Sequence, residues 1–479
     1  MGWKMAQAST LELPEGFLTH NPVYLLAKND PAVFLSVYQE LQRQIKGLEM
    51  IASENFVSPT TLAAAGTVGT NKYAEGYPGD RYYGGCEHID EVESLGIERA
   101  KALFGAQHAN IQPHSGTTMN QAAIFALIEA GGKILSMDLK QGGHLSHGAP
   151  VNAIGQFYEI SHYGVDEETG RIDYDNVLAI AKEVRPDLIV AGGSAYPREV
   201  NFAKFREIAD EVGAYLLADI AHHAGQVAAG IYNSPIDQAH VTTTTTHKTL
   251  RGARGGMILL GKDYEMMMPW GKKQRRLLKA IDAAVFPGEQ GGPLEHLITA
   301  KAVALGEALN ADGTAVSQEF IDYQRQVVQN AQTLARYFAA HGYELSTGGT
   351  DTHLILVKRP RNLTGLAAQH ATEEIGITIN KNSGPNDKGT PKVPDYVRVG
   401  TPAITTRGMG VKEMHVIGEA LDMLFRHTTE NGNHNPIIAD GVVDTLKPTI
   451  DELVEKFPLY PELLEQFDYV ASHPDINLN

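Results

Sequence analysis

What the chain lacks narrows its possible classes before any motif is considered. It has a single cysteine, Cys86, so no disulfide can form within the chain, which suits a reducing compartment. No apolar run approaches the roughly 20 residues of a membrane-spanning helix. The N-terminus lacks the apolar core of a signal peptide and the Ser or Thr of a myristoylation signal. We therefore expect a cytoplasmic protein.

Positive charge is also scarce. The 40 Lys and Arg residues face 57 Asp and Glu residues, which leaves a formal net charge of −17. Such a balance argues against general binding to nucleic acids or to anionic membranes. Apolar residues, by contrast, make up 43% of the 479 positions. This composition predicts a globular protein with one large domain and one or two smaller pieces.

The most informative stretch spans residues 241–256 and reads Val-Thr-Thr-Thr-Thr-Thr-His-Lys-Thr-Leu-Arg-Gly-Ala-Arg-Gly-Gly. Its threonines favour an extended strand, and its glycines permit a tight turn. A lysine at the end of a buried strand is desolvated, which lowers its pKa and frees its amine to attack a carbonyl. Lys248 would then suit a Schiff base with pyridoxal phosphate (PLP). The alternative is a surface lysine after an edge strand.

From about residue 89 the pattern alternates between helix and strand. Helices are predicted at residues 89–104 and 202–212, and apolar strands at residues 109–112, 134–137, 188–191 and 215–218. Repeated strand–helix units with short links imply a mainly parallel sheet flanked by helices. Ligands of such sheets bind at the C-terminal ends of the strands.

The turn after the first of these strands has the composition of a phosphate site. Ser115, Gly116 and Thr117 open a helix, where backbone N–H groups and the helix dipole favour an anion. An ordinary capped helix would have the same sequence. The pattern therefore indicates a phosphate site without requiring one.

Three other polar residues suggest contacts with a flat, charged ligand. Asp219 ends an apolar strand, where a protonated pyridine nitrogen would compensate its charge; a helix N-cap is the alternative. His144 could stack on a flat cofactor, and an ordinary loop histidine is the alternative. A metal site at His144 and His147 is disfavoured, because no further ligands follow at metal-binding spacing. Arg398, between two valines, suits a substrate carboxylate or a structural salt bridge.

Two further segments are unusual in composition. Residues 71–85 combine four tyrosines with glycines and charges of both signs, which predicts a functional loop rather than an ordinary solvated one. The basic run at residues 272–276 is either a solvated helix face or a site that attracts an anionic polyglutamate tail.

After residue 309 the pattern of predicted helices and strands starts anew, which indicates a second domain. We therefore predict an N-terminal arm and helix (1–50), a large domain (51–309) and a smaller α+β domain with a helical tail (310–479).

Taken together, these motifs resemble those of the serine hydroxymethyltransferase family. The resemblance runs from about residue 48 to residue 407. It rests on residues 242–256, Asn-Lys-Tyr-Ala-Glu-Gly-Tyr-Pro within residues 71–85, Gln-Pro-His-Ser-Gly at residues 112–116, Asn380-Lys381-Asn382-Ser383 and Arg398-Val399-Gly400-Thr401-Pro402. It implies the α/β fold type I of PLP enzymes, which is aspartate aminotransferase-like: a mainly parallel seven-stranded sheet flanked by helices, plus a smaller C-terminal α+β domain.

The resemblance also implies roles for individual residues. Cofactor contacts fall to Lys248 (covalent), Asp219 (pyridinium nitrogen), His144 (stacking), Ser194 and His222 (the O3′ side), Ser115, Gly116 and Thr117 (phosphate), and Tyr73 and Gly292 of a neighbouring subunit. Catalytic roles fall to Lys248, Glu75, Tyr83, His144, Thr245 and His222. Glu75, near Tyr82 and Tyr83, would be the proton-transfer carboxyl, also supplied across the subunit interface. Substrate contacts fall to Ser53, Glu75, Tyr83, Arg254 and Arg398, and folate contacts to Leu139, Leu145 and Asn382. No metal is implied.

The expected activity is the reversible conversion of L-serine and tetrahydrofolate into glycine and 5,10-methylenetetrahydrofolate. The expected assembly is a homodimer, or a tetramer of dimers, with shared active sites and small-molecule partners only. One alternative on the same scaffold is a folate-independent aldolase of β-hydroxy amino acids, or an α-methylserine hydroxymethyltransferase. Another is a PLP-binding regulatory or RNA-binding protein without turnover. The presence of Lys248, Glu75 and Arg398 together argues against that last class.

Overall fold

The computed structural model describes residues 21–267, 274–476 and 478, and these form two compact units. One unit contains residues 49–450, and the other contains the described residues before 49 and after 450. Most of the predicted N-terminal arm, as well as Lys272 and Lys273 of the basic run, lie outside the described residues. The predicted domain boundary near residue 309 stays a prediction. No helix in the described ranges is both long and apolar enough to cross a membrane.

The helices of the described residues are α1 (Pro22–Asn29), α2 (Pro31–Lys46), α3 (Pro59–Ala65), α4 (Glu87–Phe104), α5 (Gly116–Leu127), α6 (Ala153–Phe157), α7 (Tyr174–Val184), α8 (Phe202–Val212), α9 (Ala224–Ala228), α10 (Leu277–Ala283), α11 (Glu295–Glu307), α12 (Gln318–Ala340), α13 (Gly365–Glu374), α14 (Pro402–Thr406), α15 (Val411–Arg426), α16 (Val442–Lys456) and α17 (Pro461–Ala471).

The strands are β1 (Leu48–Glu49), β2 (Gly76–Tyr77), β3 (Asp80–Arg81), β4 (His108–Asn110), β5 (Lys133–Met137), β6 (Glu159–Tyr163), β7 (Leu188–Gly192), β8 (Tyr215–Asp219), β9 (Val241–Thr245), β10 (Gly256–Leu260), β11 (Glu265–Met267), β12 (Gln274–Arg276), β13 (Glu344–Leu345), β14 (Leu354–Lys358), β15 (Ile377–Thr378), β16 (Asn380–Asn382), β17 (Tyr396–Gly400), β18 (Thr428–Glu430) and β19 (Pro436–Ile438).

The smaller unit is built from the amphipathic helices α1, α2 and α17. Asp30 caps α2 by accepting the N–H of Val33, and a proline follows at the first helical position, as the sequence predicts. The rings of Phe34 and Phe467 stack with centroids 5.5 Å apart. This aromatic contact ties α2 to the C-terminal helix.

The larger unit is organised around a seven-stranded sheet in the order β4-β10-β9-β8-β7-β5-β6. Strands β9, β8, β7, β5 and β6 run parallel to one another, and β10 runs antiparallel to both β9 and β4. Strands β7, β9 and β10 are buried along their whole length, and β8 is buried except at Tyr215, because helices cover both faces of the sheet. The predicted mainly parallel α/β fold is confirmed.

A second, four-stranded sheet follows in the order β13-β14-β17-β16 and is antiparallel throughout. Helix α12 precedes the strands of this sheet in the chain, and α15 follows them. The prediction of a helical tail with loops after residue 431 was incomplete, because a short hairpin of β18 and β19 precedes α16 and α17. Three-residue strands are too short to show an alternating pattern.

Candidate active site

A cavity of about 650 Å³ opens at the C-terminal ends of the parallel strands. Its walls include loops that follow β7 and β9 of the large sheet and residues on β16 and β17 of the small sheet. Most of the predicted site residues line it: Ser53, Ser115, Gly116, Thr117, Leu139, His144, Leu145, Ser194, His222, Thr245, Lys248, Arg254, Asn382 and Arg398. A narrow floor compartment shares several of these residues and adds Asp219.

Lys248 is a buried amine on the wall of this cavity. It lies three residues beyond the end of β9 and is 8% exposed, so the surface-lysine alternative is wrong. Burial lowers the pKa of Lys248 to about 8, with the charges of Arg398 and Arg254 acting in the same direction and that of Asp219 opposing them. A substantial fraction of the amine is therefore neutral and nucleophilic near pH 8.

Asp219 is held ionised at the floor of the cavity. Its Oδ2 accepts hydrogen bonds from Asn120 Nδ2 at 2.8 Å and His147 Nε2 at 2.9 Å. Burial opposes ionisation, but the hydrogen bonds from His147 and Asn120, together with the electrostatic effect of the two neighbouring imidazoles, outweigh it and lower the pKa of Asp219. The N-cap of α9 is His223, so the N-cap reading of Asp219 is wrong.

His144 presents a neutral imidazole to the same cavity. Burial and the nearby His147 lower the pKa of His144 to about 4, so its ring is uncharged at neutral pH. Its Nδ1 lies 2.7 Å from the hydroxyl oxygen of Ser146, which fixes the ring orientation. Among the described residues, no group of His, Cys, Asp and Glu side chains is arranged to hold a metal ion.

Arg398 is a buried guanidinium that has no carboxylate partner in the part of the chain that the structure describes. It is 8% exposed and donates to three neutral oxygens, those of Asn380 Oδ1, the Ser194 carbonyl and Ser53 Oγ, at 3.2, 2.7 and 3.5 Å. Within the described ranges no ion pair involves it, so the salt-bridge alternative is wrong. Because an unpaired buried cation is costly, Arg398 is suited to an anionic ligand that enters the cavity.

The turn at the start of α5 forms a cradle for an anion. Ser115 caps α5 in a reciprocal capping box with Thr118, and the first N–H groups of a helix have no partner within it. A Cβ on Gly116 would lie 2.8 Å from Cγ2 of Thr245, so only glycine fits here without movement. The backbone can therefore approach a ligand closely at this point.

The remaining predicted residues do not line this cavity. Glu75 and Tyr82 line a separate surface cavity of about 450 Å³ with residues 286–291. The ring of Tyr73 lies 5.2 Å from that of Tyr83, and both are substantially exposed. A Cβ on Gly292 would lie 3.1 Å from the Tyr73 ring, which places this glycine in the same exposed patch.

Sequence reasoning missed several polar partners of the site. It considered His147 only as a metal ligand, and it passed over Asn120, which lies one turn into α5. It also missed His353, whose Nε2 lies 3.2 Å from Nδ1 of His222. Burial lowers the pKa of both His222 and His353 well below the ordinary value, followed by repulsion from nearby Lys248 for His222 and His223 for His353. The histidines at residues 222, 223 and 353 are the feature of the sequence from which a buried polar cluster could have been predicted.

The donor set fits PLP group by group. The cavity offers an amine for its aldehyde, a carboxylate for its ring nitrogen, a neutral imidazole for its ring face and a helix N-terminus for its phosphate. The model of the family "Serine hydroxymethyltransferase" matches residues 26–421. The chain therefore belongs to the serine hydroxymethyltransferase family, and it is a PLP-dependent transferase of one-carbon metabolism.

Proposed function

We propose that this protein transfers the hydroxymethyl group of L-serine to tetrahydrofolate, reversibly, and that Lys248 binds PLP covalently. The observation that carries the proposal is the shared cavity of Lys248, Asp219 and Arg398. It combines a buried amine, a buried carboxylate and an unpaired guanidinium. These are the groups that a PLP enzyme acting on an amino acid requires.

When bound, PLP supplies an electron sink for the carbanion that forms at the substrate Cα. Asp219, held ionised by its three donors Asn120, His147 and the Ala221 N–H, keeps the ring nitrogen protonated. Arg398 and Ser53, joined by a weak hydrogen bond of 3.5 Å, bind the substrate carboxylate. His144 covers the ring face, and the neutral form of Lys248 provides the attacking amine.

Glu75 moves a proton at the serine hydroxyl oxygen, and we propose that it does so from the neighbouring subunit of a homodimer. Its position on an exposed aromatic patch, away from the cavity of its own chain, supports this arrangement. Tyr73, Tyr83 and Gly292 belong to the same patch and would enter the neighbouring site with it.

A lone reduced cysteine, Cys86, is compatible with a cytoplasmic location.

Folate is the proposed acceptor because of the cavity's apolar mouth. Leu139 and Leu145 are 42% and 46% exposed there, although both are large apolar side chains, and Asn382 lies on the same cavity. Exposed leucines beside a polar cavity suit an aromatic ring system such as a pteridine. A folate-independent aldolase binds no pteridine, so that activity would not account for these exposed leucines.

Absorbance spectroscopy of the PLP-bound protein tests the proposal. The cofactor band is expected to shift on addition of glycine and to shift again on addition of tetrahydrofolate. Lys248→Met should abolish the covalently bound band, whereas Lys182→Met, which changes an exposed lysine paired with Glu211, should leave it unchanged.

The folate step has its own matched test. Leu145→Asp should remove the response to tetrahydrofolate and preserve the response to glycine. The reason is that Leu145 is assigned to folate, whereas Arg398 and Asp219 are assigned to the substrate carboxylate and the cofactor ring nitrogen. A wild-type protein that responds to glycine but not to tetrahydrofolate would contradict the folate reaction and favour the aldolase. A protein that binds PLP and responds to neither would favour a non-catalytic role.

A further inference from the structure

Lys301 is a buried lysine whose hydrogen-bond partners, among the described residues, are all neutral. Its Nζ donates to the carbonyl oxygens of Ile111, Pro113 and Gly256 at 2.7, 3.0 and 3.1 Å. The residue is 2% exposed, and burial lowers the pKa of its amine to about 7. All three donors of the ammonium group are thus used on backbone groups, which is a costly arrangement if it only fills the core.

The three carbonyls belong to two segments beside the active-site cavity, the one between β4 and α5 and the first residue of β10. Pro113 immediately precedes His114 and Ser115, both of which line the cavity, and Gly256 follows the lining residue Gly255. The N–H of Gly256 also donates to the Pro113 carbonyl at 2.9 Å. Lys301, which reaches in from α11, therefore ties the segment before α5 to the start of β10.

Gly255 leaves the space through which the Lys301 side chain passes. A Cβ at Gly255 would lie 2.1 Å from Cε and 2.5 Å from Nζ of Lys301. A side chain at residue 255 and the observed path of Lys301 are therefore mutually exclusive. The glycine and the lysine form one structural device, although they are 46 residues apart in sequence.

We propose that Lys301 is a positioning residue for the phosphate of PLP. It fixes the spacing between the segment before α5 and the start of β10, and in its ammonium form it places a positive charge behind the cradle formed by Ser115, Gly116 and Thr117. The inference rests on the proposed assignment of the phosphate to that cradle. It does not depend on which acceptor the enzyme uses.

The test compares two ligands of the cofactor-free protein. PLP and pyridoxal share the aldehyde and the ring, and only PLP carries the phosphate. In Lys301→Met we expect the Kd for PLP to rise by about tenfold or more, while the Kd for pyridoxal changes less than about twofold. Inorganic phosphate should likewise compete less well with PLP in the variant than in the wild type.

Gly255→Ala provides a second variant, because its methyl group displaces Lys301 while the amine remains in the chain. It should lose the preference for PLP over pyridoxal in the same way, and it carries the test if Lys301→Met does not fold. Lys301→Arg, which keeps the charge, should restore part of the preference. Lys182→Met is the control and should behave as wild type.

The proposal is overturned if Lys301→Met keeps the wild-type ratio of the two dissociation constants. An equal loss of affinity for PLP and pyridoxal also overturns it, because that result means a general collapse of the cavity. A wild-type protein that shows no preference for PLP over pyridoxal would instead reject the assignment of the phosphate cradle. A failure of the folate reaction leaves all of these measurements unaffected.

Discussion

His147 and Asp219 form a buried hydrogen bond, Nε2 to Oδ2 at 2.9 Å, with side chains that are only 2% and 7% exposed. Asn120 donates to the same oxygen. A carboxylate buried this deeply would become neutral without such donors. The bond therefore determines whether Asp219 carries the charge that a protonated ring nitrogen needs.

The pH dependence of activity should reveal this role. In the wild type the pKa of Asp219 is lowered, so the carboxylate remains ionised as the pH falls through the neutral range. His147→Leu removes a hydrogen-bond donor that favours the ionised form of Asp219, so the pKa of Asp219 rises and activity is lost at a higher pH as the solution is acidified. We expect kcat/KM to fall by about tenfold or more at pH 6 and by less at pH 8.

A matched control is His88→Leu, which changes an exposed histidine on α4. Its profile between pH 5.5 and 9 should overlay that of the wild type within experimental error. An acid limb that stays in place in His147→Leu would show that Asn120 and the Ala221 N–H suffice to keep Asp219 ionised.

The sequence predicted the strand ends of the site better than its supporting contacts. Asp219 and Lys248 could be identified because apolar or β-branched runs mark buried strands, and the residue after such a run lies at the edge of the sheet. Arg398 was recognisable by its position between valines. Its lack of an ion pair was not predictable, because that depends on which side chains three distant segments bring to it.

His147, Asn120 and Lys301 illustrate what local pattern cannot give. Each acts through a partner 45 or more residues away: Asp219 for the first two, and the segments at Pro113 and Gly256 for the third. Periodicity describes neighbours in sequence, whereas these contacts depend on how helices and loops cross the sheet. Among the long helices, those at residues 89–104 and 202–212 were predicted, whereas α7, α11 and α13 were not.

A second buried acid predicts an unusual dependence of stability on pH. Glu295 is 1% exposed, its carboxyl oxygens have no hydrogen-bond partner within the described ranges, and Arg81 lies 4.0 Å away. Burial, followed by repulsion from Glu93, raises its pKa to about 8. The folded state thus holds a proton that the unfolded state has released. The free energy of unfolding should fall as the pH rises from Glu295's ordinary value towards 8.

Glu295→Gln should therefore stabilise the protein at pH 8 by about 1–2 kcal/mol and have little effect at pH 5. Glu93→Gln is the matched comparison, because Glu93 makes a close ion pair with Arg81 at 2.5 Å. It should destabilise the protein by about 3 kcal/mol. Urea unfolding of the PLP-bound enzyme at both pH values distinguishes the two. A Glu295→Gln variant less stable than wild type at pH 8 would contradict the raised pKa.

The close approach of Gly116 to Thr245 permits a compensation experiment. Gly116→Ala would place a methyl group 2.8 Å from Cγ2 of Thr245 and push the cradle away from the cavity wall. We expect the Kd for PLP to rise by about tenfold. Thr245→Ser removes the opposing methyl group, so the double variant should bind PLP more tightly than Gly116→Ala alone. Titration of the cofactor-free proteins with PLP measures both effects. Equal affinities of Gly116→Ala and the double variant would show that another contact resists the added methyl group.

Glu75 and Lys248 line different cavities of one chain, so the proposed reaction requires them to meet across a subunit interface. Chains with Glu75→Gln and chains with Lys248→Met should each be inactive as homodimers. A mixed dimer, however, contains one site with the intact Lys248 of one chain and the intact Glu75 of the other. Random mixing of equal amounts makes about half of the dimers mixed, and each mixed dimer has one intact site out of two. The mixture should therefore have roughly a quarter of the activity of the same amount of wild-type protein.

The opposite pairing is the control for this experiment. Chains that carry both Glu75→Gln and Lys248→Met, mixed with wild-type chains, leave each site of the mixed dimer with one defect, because each intact residue faces a substituted one. Only the wild-type homodimers in that mixture should be active. Differently tagged chains allow each mixed dimer to be purified before its activity is measured. Suppose that the mixed dimer of doubly substituted and wild-type chains is active, whereas the mixed dimer of the two singly substituted chains is inactive. That result would mean that Glu75 serves the cavity of its own chain.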